Sequence, residues 1–337
     1  MSQNGYVAAV DSANDAQSIF EYFSDTDIRQ LTIVIDMDSL LTDAKKASYV
    51  PGVLEESVGS DTIQWNVRLR QRGKTRRKVC NFPPLKIKFH DTDLSVAGFL
   101  PYDDMKIVTH CFEGVEGERN ILREYAAYRI YNKLCPASFR VQLARIRYVD
   151  ASGKSPERVH LAFFIESKEE LADRLTCMVK NKYGMTRDSL DEYQFMFLSV
   201  FQYFIGNTDW AVPIKHNLVL IDPEGDQKVF AIPYDFDYSG LVNAAYARPN
   251  PNLNQIAVTE RVFMSHCNDL EILEAVLTRF QEVKEDVMSV FDEIPLLQRE
   301  DRVEMRRYLE AFYAQTRNPA KFKRKIISKA CNFQHKL

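Results

Sequence analysis

The run Ile205-Gly206-Asn207-Thr208-Asp209-Trp210 leads through Lys215-His216-Asn217 to Pro233-Tyr234-Asp235-Phe236-Asp237-Tyr238-Ser239-Gly240. An apolar helical pattern over 188–205 stops at Gly206, a residue type that ends helices because it takes a left-handed backbone without strain. The loop after it offers Asp209 and, eight residues on, Asn217. Segments 217–221 and 228–232 read as two short strands around the turn sequence Asp222-Pro223-Glu224-Gly225-Asp226. Asp235 and Asp237 stand in alternation at the exit. Taken singly, Asn207 and Asp209 are turn formers, and Asp235 and Asp237 are surface acids. In the order helix, Asp, Asn, hairpin, Asp they form the set that phosphoryl transfer needs. One carboxylate orients the acceptor hydroxyl and takes its proton, while an Asn oxygen and a second carboxylate hold Mg2+ on the phosphates.

Toward the N-terminus, β-type patterns dominate. Segment 31–35 reads Leu-Thr-Ile-Val-Ile, rich in β-branched residues, and 65–72 alternates polar with apolar. In Leu85-Lys86-Ile87-Lys88-Phe89 the three apolar side chains share one strand face and the two lysines share the other. A short strand is expected at 106–110. Segment 118–134 is an amphipathic helix, closed near Cys135-Pro136, with Ile121, Tyr125, Tyr128 and Tyr131 stepping by three or four residues. Glu124 falls on that apolar face, where a carboxylate needs a partner. Glu116 and Glu118 lie near the helix start, where an acid merely complements the dipole. Segments 139–149 and 158–165 form a hairpin around Asp150, Ser152 and Gly153. Beyond Glu166 helical patterns take over, at 167–182, 188–205, 269–291, 299–316 and, with basic character, 319–332. The expectation is an α+β chain in two lobes: a mainly β lobe holding one helix, 1–165, and a mainly α lobe, 166–337.

Arg68, Arg70, Arg72, Lys74, Arg76, Arg77 and Lys78 put seven cations into eleven residues around Gly73. Such a loop can face phosphate. It can equally be a solvated turn or a patch for an anionic partner. The aromatic interleaving that stacks bases is absent, and 44 basic against 47 acidic residues leave a formal charge of −3. A nucleic-acid partner is therefore not expected.

Gly206-Asn207-Thr208-Asp209, then Asn217, then Tyr234-Asp235 resembles the catalytic segment of HipA-type kinases. The longer pattern adds Arg72-Gly73, segment 86–89 and Pro233-Tyr234-Asp235-Phe236-Asp237. It resembles the CotH spore-coat kinase family and the bacterial hypothetical proteins grouped with it. These features run in order from about Asp27 to Cys267, most of the chain. The resemblance implies a two-lobed, atypical protein-kinase-like fold that binds ATP and Mg2+ or Mn2+ between its lobes. Carried over by position, Asp209 is the catalytic aspartate, Asn217 and Asp235 are metal ligands, and Asp237 is a supporting ligand. Lys86 or Lys88 meets the α- and β-phosphates, with Lys86 preferred, and Glu124 holds that lysine. Arg72 and Gly73 line the phosphate loop, and Phe163-Phe164-Ile165-Glu166 is the hinge along the adenine. The loop from Asp209 to Asn217 is longer than its HipA counterpart, so His216 is a competing candidate to point inward. The implied acceptor is a Ser or Thr hydroxyl of a protein substrate, with coat or envelope proteins in keeping with the family. Two other functions remain open: a kinase-like binding module without catalysis, and nucleotidyl (AMP) transfer.

With 337 residues, 45% hydrophobic and 12% aromatic, the chain can bury a large core. No apolar run is long enough to cross a bilayer, and the first residues lack a signal-peptide pattern. The compartment stays unassigned. Six scattered cysteines without a CxxC pair, and six dispersed histidines, give no expectation of a zinc site. Most of the thiols are expected to be free, with Cys80 and Cys111 the pair that could join in a secreted chain.

Overall fold

A computed structural model describes residues 16–24, 28–42, 48–73, 75–223, 228–265 and 270–327. Lys74, turn residues 224–226, Cys267, Cys331 and the end of the basic segment, 328–332, lie outside them. The chain divides into two compact units, Met1–Ile121 with Arg140–Glu170, and Leu122–Phe139 with Leu171–Leu337.

Alternating strands build the first unit as a closed barrel. They are β1 (Arg29–Ile35), β2 (Val50–Val58), β3 (Asp61–Gln71), β4 (Leu85–Phe89), β5 (Asp104–Val108), β6 (Val141–Asp150) and β7 (Arg158–Ile165). Their order around the barrel is β1-β2-β3-β4-β5-β7-β6. Neighbours are antiparallel except β1 and β6, whose parallel pairing closes the ring and removes any open edge. The core takes Ile33, Ile35, Trp65, Val67, Leu69, Leu85, Ile87, Phe89 and Phe164, all buried. Phe23 enters it with its ring 5.5 Å from Trp65 and 5.8 Å from Phe164. Phe23 comes from a short helix, Ile19–Phe23, started by a capping box between Ser18 and Glu21. The lobe holds more helix than the one expected. Met37–Thr42, Arg76–Val79 and Asp91–Val96 are helical too, each too short to show a period in the sequence. Strand β2 was hidden by Pro51 and Gly52, which read as turn residues. A disulfide joins Cys80 and Cys111, with Cα atoms 4.5 Å apart. Cys135 and Cys177 are buried thiols outside this disulfide.

The second unit is mainly helical around a small sheet of order β10-β9-β8. Its strands are β8 (Cys177–Val179), β9 (Leu218–Pro223) and β10 (Phe230–Pro233). The helical pattern at 167–182 resolves into a helix, Lys168–Arg174, and strand β8. Thr176, with φ +54°, turns the chain between them, and pairing to β9 overrides the local helical pattern. The pattern at 269–291 is two helices, Leu270–Glu282 and Lys284–Glu293, broken at Val283. The basic C-terminal segment is a short helix, Pro319–Phe322, followed by a π-helical turn, Lys323–Ile327. Phe204 of helix Glu192–Ile205 centres an aromatic cluster, its ring 4.7 Å from Phe312, 5.3 Å from Phe280 and 5.5 Å from Tyr313. Truncating such a ring to Ala costs about 3–5 kcal/mol. Arg123, on the long helix Val115–Leu134, is 2% exposed, and its Nε donates to Asp301 Oδ1 at 2.8 Å. Glu304 faces the same guanidinium, so the buried charge is shared between two carboxylates. Among the described residues no helix is long and apolar enough to cross a membrane.

Candidate active site

Helix Glu192–Ile205 begins at Asp191, whose carboxylate accepts from the Gln194 N–H at 2.9 Å, and ends at Gly206 with φ +67°. The Gly240 N–H donates to Gly206 O at 3.0 Å and the Leu241 N–H to Ile205 O at 2.9 Å, drawing the chain after Asp237 back onto the helix end. Gly240 also lets segment 258–259 lie close: a Cβ there would stand 2.8 Å from Val258 O and 2.9 Å from Thr259 Cα. At the near end of the hairpin the Tyr234 N–H donates to Asn217 O at 3.0 Å, continuing the β9–β10 ladder. Asn217 and Asp235 are thereby delivered to the same end of one hairpin.

Asp209 is held from three sides. Its N–H donates to Asn207 Oδ1 at 3.0 Å. His216 Nε2 lies 2.7 Å from Asp209 Oδ1. Asn217 Nδ2 donates to Asp209 O at 2.8 Å and to Asp209 Oδ2 at 3.0 Å. Two acceptors on Asp209 therefore claim the amide nitrogen, which turns the Asn217 amide oxygen away as a donor for a cation. Lys215 and Asn217 take left-handed φ values of +49° and +53°, sparsely populated backbone that the surrounding bonds must hold in place.

The other half of the site is acidic. Asp235 has φ +67°, and its N–H donates to Tyr128 Oη at 2.7 Å. Phe236, fully buried, packs its ring 4.6 Å from Tyr128 and 5.5 Å from Phe201, which fixes the acids on either side of it. Carboxylate oxygens of Glu124, Asp235 and Asp237 all lie within 4.8 Å of one another. Glu124 is 2% exposed and Asp237 3%. Three clustered carboxylates repel one another, and a hard cation bound through oxygen relieves that repulsion. The residues present thus fit Mg2+ or Mn2+. Glu124 joins this cluster, a role its place on an apolar helix face did not reveal.

The barrel carries the expected cations. Lys86 and Lys88 do share the outward face of β4, but each meets an acid from the β5 side. Lys86 Nζ is 2.7 Å from Asp104 Oδ2 and Lys88 Nζ is 2.6 Å from Asp103 Oδ2. Arg70, Lys86 and Lys106 are directly opposed across β3, β4 and β5, so they form one row on one face. Burial above all, then the nearby Arg72 and Lys86 charges, brings the Lys106 ammonium down to about 7, against the pull of Asp104 and Glu169. Sequence reasoning missed Lys106. Its signal was a lone cation among Met105, Ile107 and Val108.

Other candidates make contacts within the fold. The Arg72 N–H donates to Pro84 O at 2.7 Å. Gly73, at φ +80°, opens helix Arg76–Val79 by accepting from Arg77 Nε at 3.0 Å. Arg68 and Arg70 lie over the Tyr49 ring at 5.7 and 5.3 Å. The Glu166 carboxylate is fully buried and accepts from the Arg140 N–H at 2.7 Å and Nε at 2.8 Å. Phe163 and Phe164 are fully buried, and Trp210 belongs to the apolar cluster around β9. His216 is engaged with Asp209.

No protein-family model matches the chain, and no curated protein matches it. Among solved structures, the Helicobacter pylori proinflammatory kinase CtkA is similar at 11% identity and a TM-score of 0.37, over 75% of this chain and 92% of that chain. A likeness of that size carries no argument here, and the resemblance to the CotH family rests on the quoted residues alone.

Proposed function

We propose that this chain is a phosphotransferase that moves the γ-phosphoryl group of ATP, with Mg2+ or Mn2+, to a Ser or Thr hydroxyl of a protein. The observation that carries the reading is the end of the β9–β10 hairpin. There Asn217 turns its amide nitrogen onto Asp209, and Asp235 sits with Asp237 and Glu124 within 4.8 Å. ATP and the cation, when bound, supply the transferable group and neutralise its charge. Asp235, Asp237 and the Asn217 amide oxygen would hold the cation, with Glu124 behind them. Asp209, oriented by His216 and Asn217, would orient the acceptor hydroxyl and accept its proton. In the barrel, Lys106 suits phosphate best, because a desolvated ammonium gains most from an anion. Lys86 and Arg72 add to the same field.

Asp235→Asn tests this reading. Asn tolerates the left-handed backbone at this position, so the variant keeps the fold and loses the charge. The expected result is a fall in metal-dependent transfer on the order of 10²–10³-fold with an unchanged Tm. Unchanged transfer in the folded variant would remove Asp235 from the chemistry.

A further inference from the structure

His110 and His160 are fifty residues apart in the sequence, yet their rings stack with centroids 3.6 Å apart and planes 18° from parallel. Both lie in the barrel unit. His110 follows the end of β5, and His160 is in β7. Glu113 faces both rings. His160 Nε2 is 3.0 Å from its Oε2, and His110 Nε2 is 3.7 Å from its Oε1. Ligand atoms from the three side chains all fall within 4.8 Å of one another.

His110 supplies a second, independent observation. It is 1% exposed, and neither ring nitrogen makes a hydrogen bond. A buried imidazole that satisfies neither nitrogen is costly, and such a group marks the place of a missing ligand. The Glu113 side chain is half exposed and that of His160 only slightly, so an ion has a way in from the Glu113 side.

We propose that His110, Glu113 and His160 form a binding site for a divalent transition ion of the Zn2+ class. Two imidazoles and one carboxylate are borderline ligands, preferred by Zn2+ and Co2+ over Mg2+ or Ca2+. Three protein ligands leave a fourth position for water. Binding requires the more exposed His160 ring to tilt so that both lone pairs converge. It also requires the ion to take over the carboxylate oxygen that Arg158 Nη1 faces at 3.6 Å. The ion would clasp β7 to segment 110–113. That segment is already tied by the Cys80–Cys111 disulfide and by the Phe82 N–H bond to Cys111 O at 3.1 Å. The site is independent of the acidic cluster, which offers only oxygen.

The test is titration of the oxidised, chelator-treated full chain with Co2+ and Zn2+ in the presence of excess Mg2+. Wild-type protein should take up one ion per chain, show the visible bands of bound Co2+ without a thiolate charge-transfer band, and gain Tm with Zn2+. Glu113→Gln and His160→Ala alter side chains that are not fully buried and should fold. Each should weaken binding by at least about 10-fold, the scale at which even outer-shell partners of a metal act. Uptake unchanged in the double variant, a thiolate signature, or no uptake by wild type would each overturn the proposal.

Discussion

Glu170 is caught with Glu21 and Glu166 around a single guanidinium. Arg140 Nη2 donates to Glu170 Oε1 at 2.6 Å, and Ser18 Oγ donates to the same oxygen at 2.5 Å. Burial outweighs both bonds and, with Glu166 and Glu21 adding to it, pushes the carboxyl up from 4.5 to about 7. Between those values the folded chain keeps a proton that the unfolded chain releases. The stabilising contribution is therefore full below pH 4.5 and is lost as pH rises through 7. Glu170→Gln carries no such loss, so its Tm relative to wild type should rise from acid to neutral pH and level off above it. Parallel Tm curves for the two proteins would contradict this assignment. At this scale the sequence was most legible where chemistry is local. Asp209, Asn217, Asp235 and Asp237 could be picked out by order and residue type. The row that Lys106 joins and the place of Glu124 beside Asp235 and Asp237 could not, because each depends on a neighbour brought in from another element.

Among elements, the hairpin β9–β10 and the glycine-ended helix do most to set the site. Gly240→Ala would press a methyl group against main-chain atoms of Val258 and Thr259, which cannot swing aside as a side chain can. Overpacking of this kind costs about 1–3 kcal/mol, so the denaturant midpoint should fall. An unchanged midpoint would mean that Val258 and Thr259 do not lie against Gly240. In the barrel, the Cys80–Cys111 bond spans 31 residues. Closing a loop of that length stabilises by about 2–4 kcal/mol. Reduction should lower Tm, and Cys80→Ser with Cys111→Ser should lower it equally; a variant as stable as the oxidised parent would show the link to be incidental. Strand β4 was legible because its alternation is strict and its length is five residues. Strand β2 was not, since its Pro and Gly resemble a turn. Strand β8 was not either, since its three residues are held in place by β9.

For the whole molecule, local pattern says least. An α+β chain changing character near Glu166 could be read from periodicity. The barrel could not, because it closes through the parallel pairing of Arg29–Ile35 with Val141–Asp150, a register that no local signal encodes. The same holds for the carboxylates of Glu124, Asp235 and Asp237, gathered from a helix and a hairpin exit far apart in sequence. The central claim is that this gathering performs phosphoryl transfer. The most direct measurement incubates the pure chain with Mg2+, an acceptor protein and ATP labelled at either the γ- or the α-phosphate, with Asp209→Asn in parallel. The account predicts label from the γ-position alone, reduced on the order of 10²-fold or more in Asp209→Asn, as expected when a general base is lost. Label from the α-position would make the chain a nucleotidyl transferase. No label from either, with no nucleotide-induced change in Tm, would contradict the account outright.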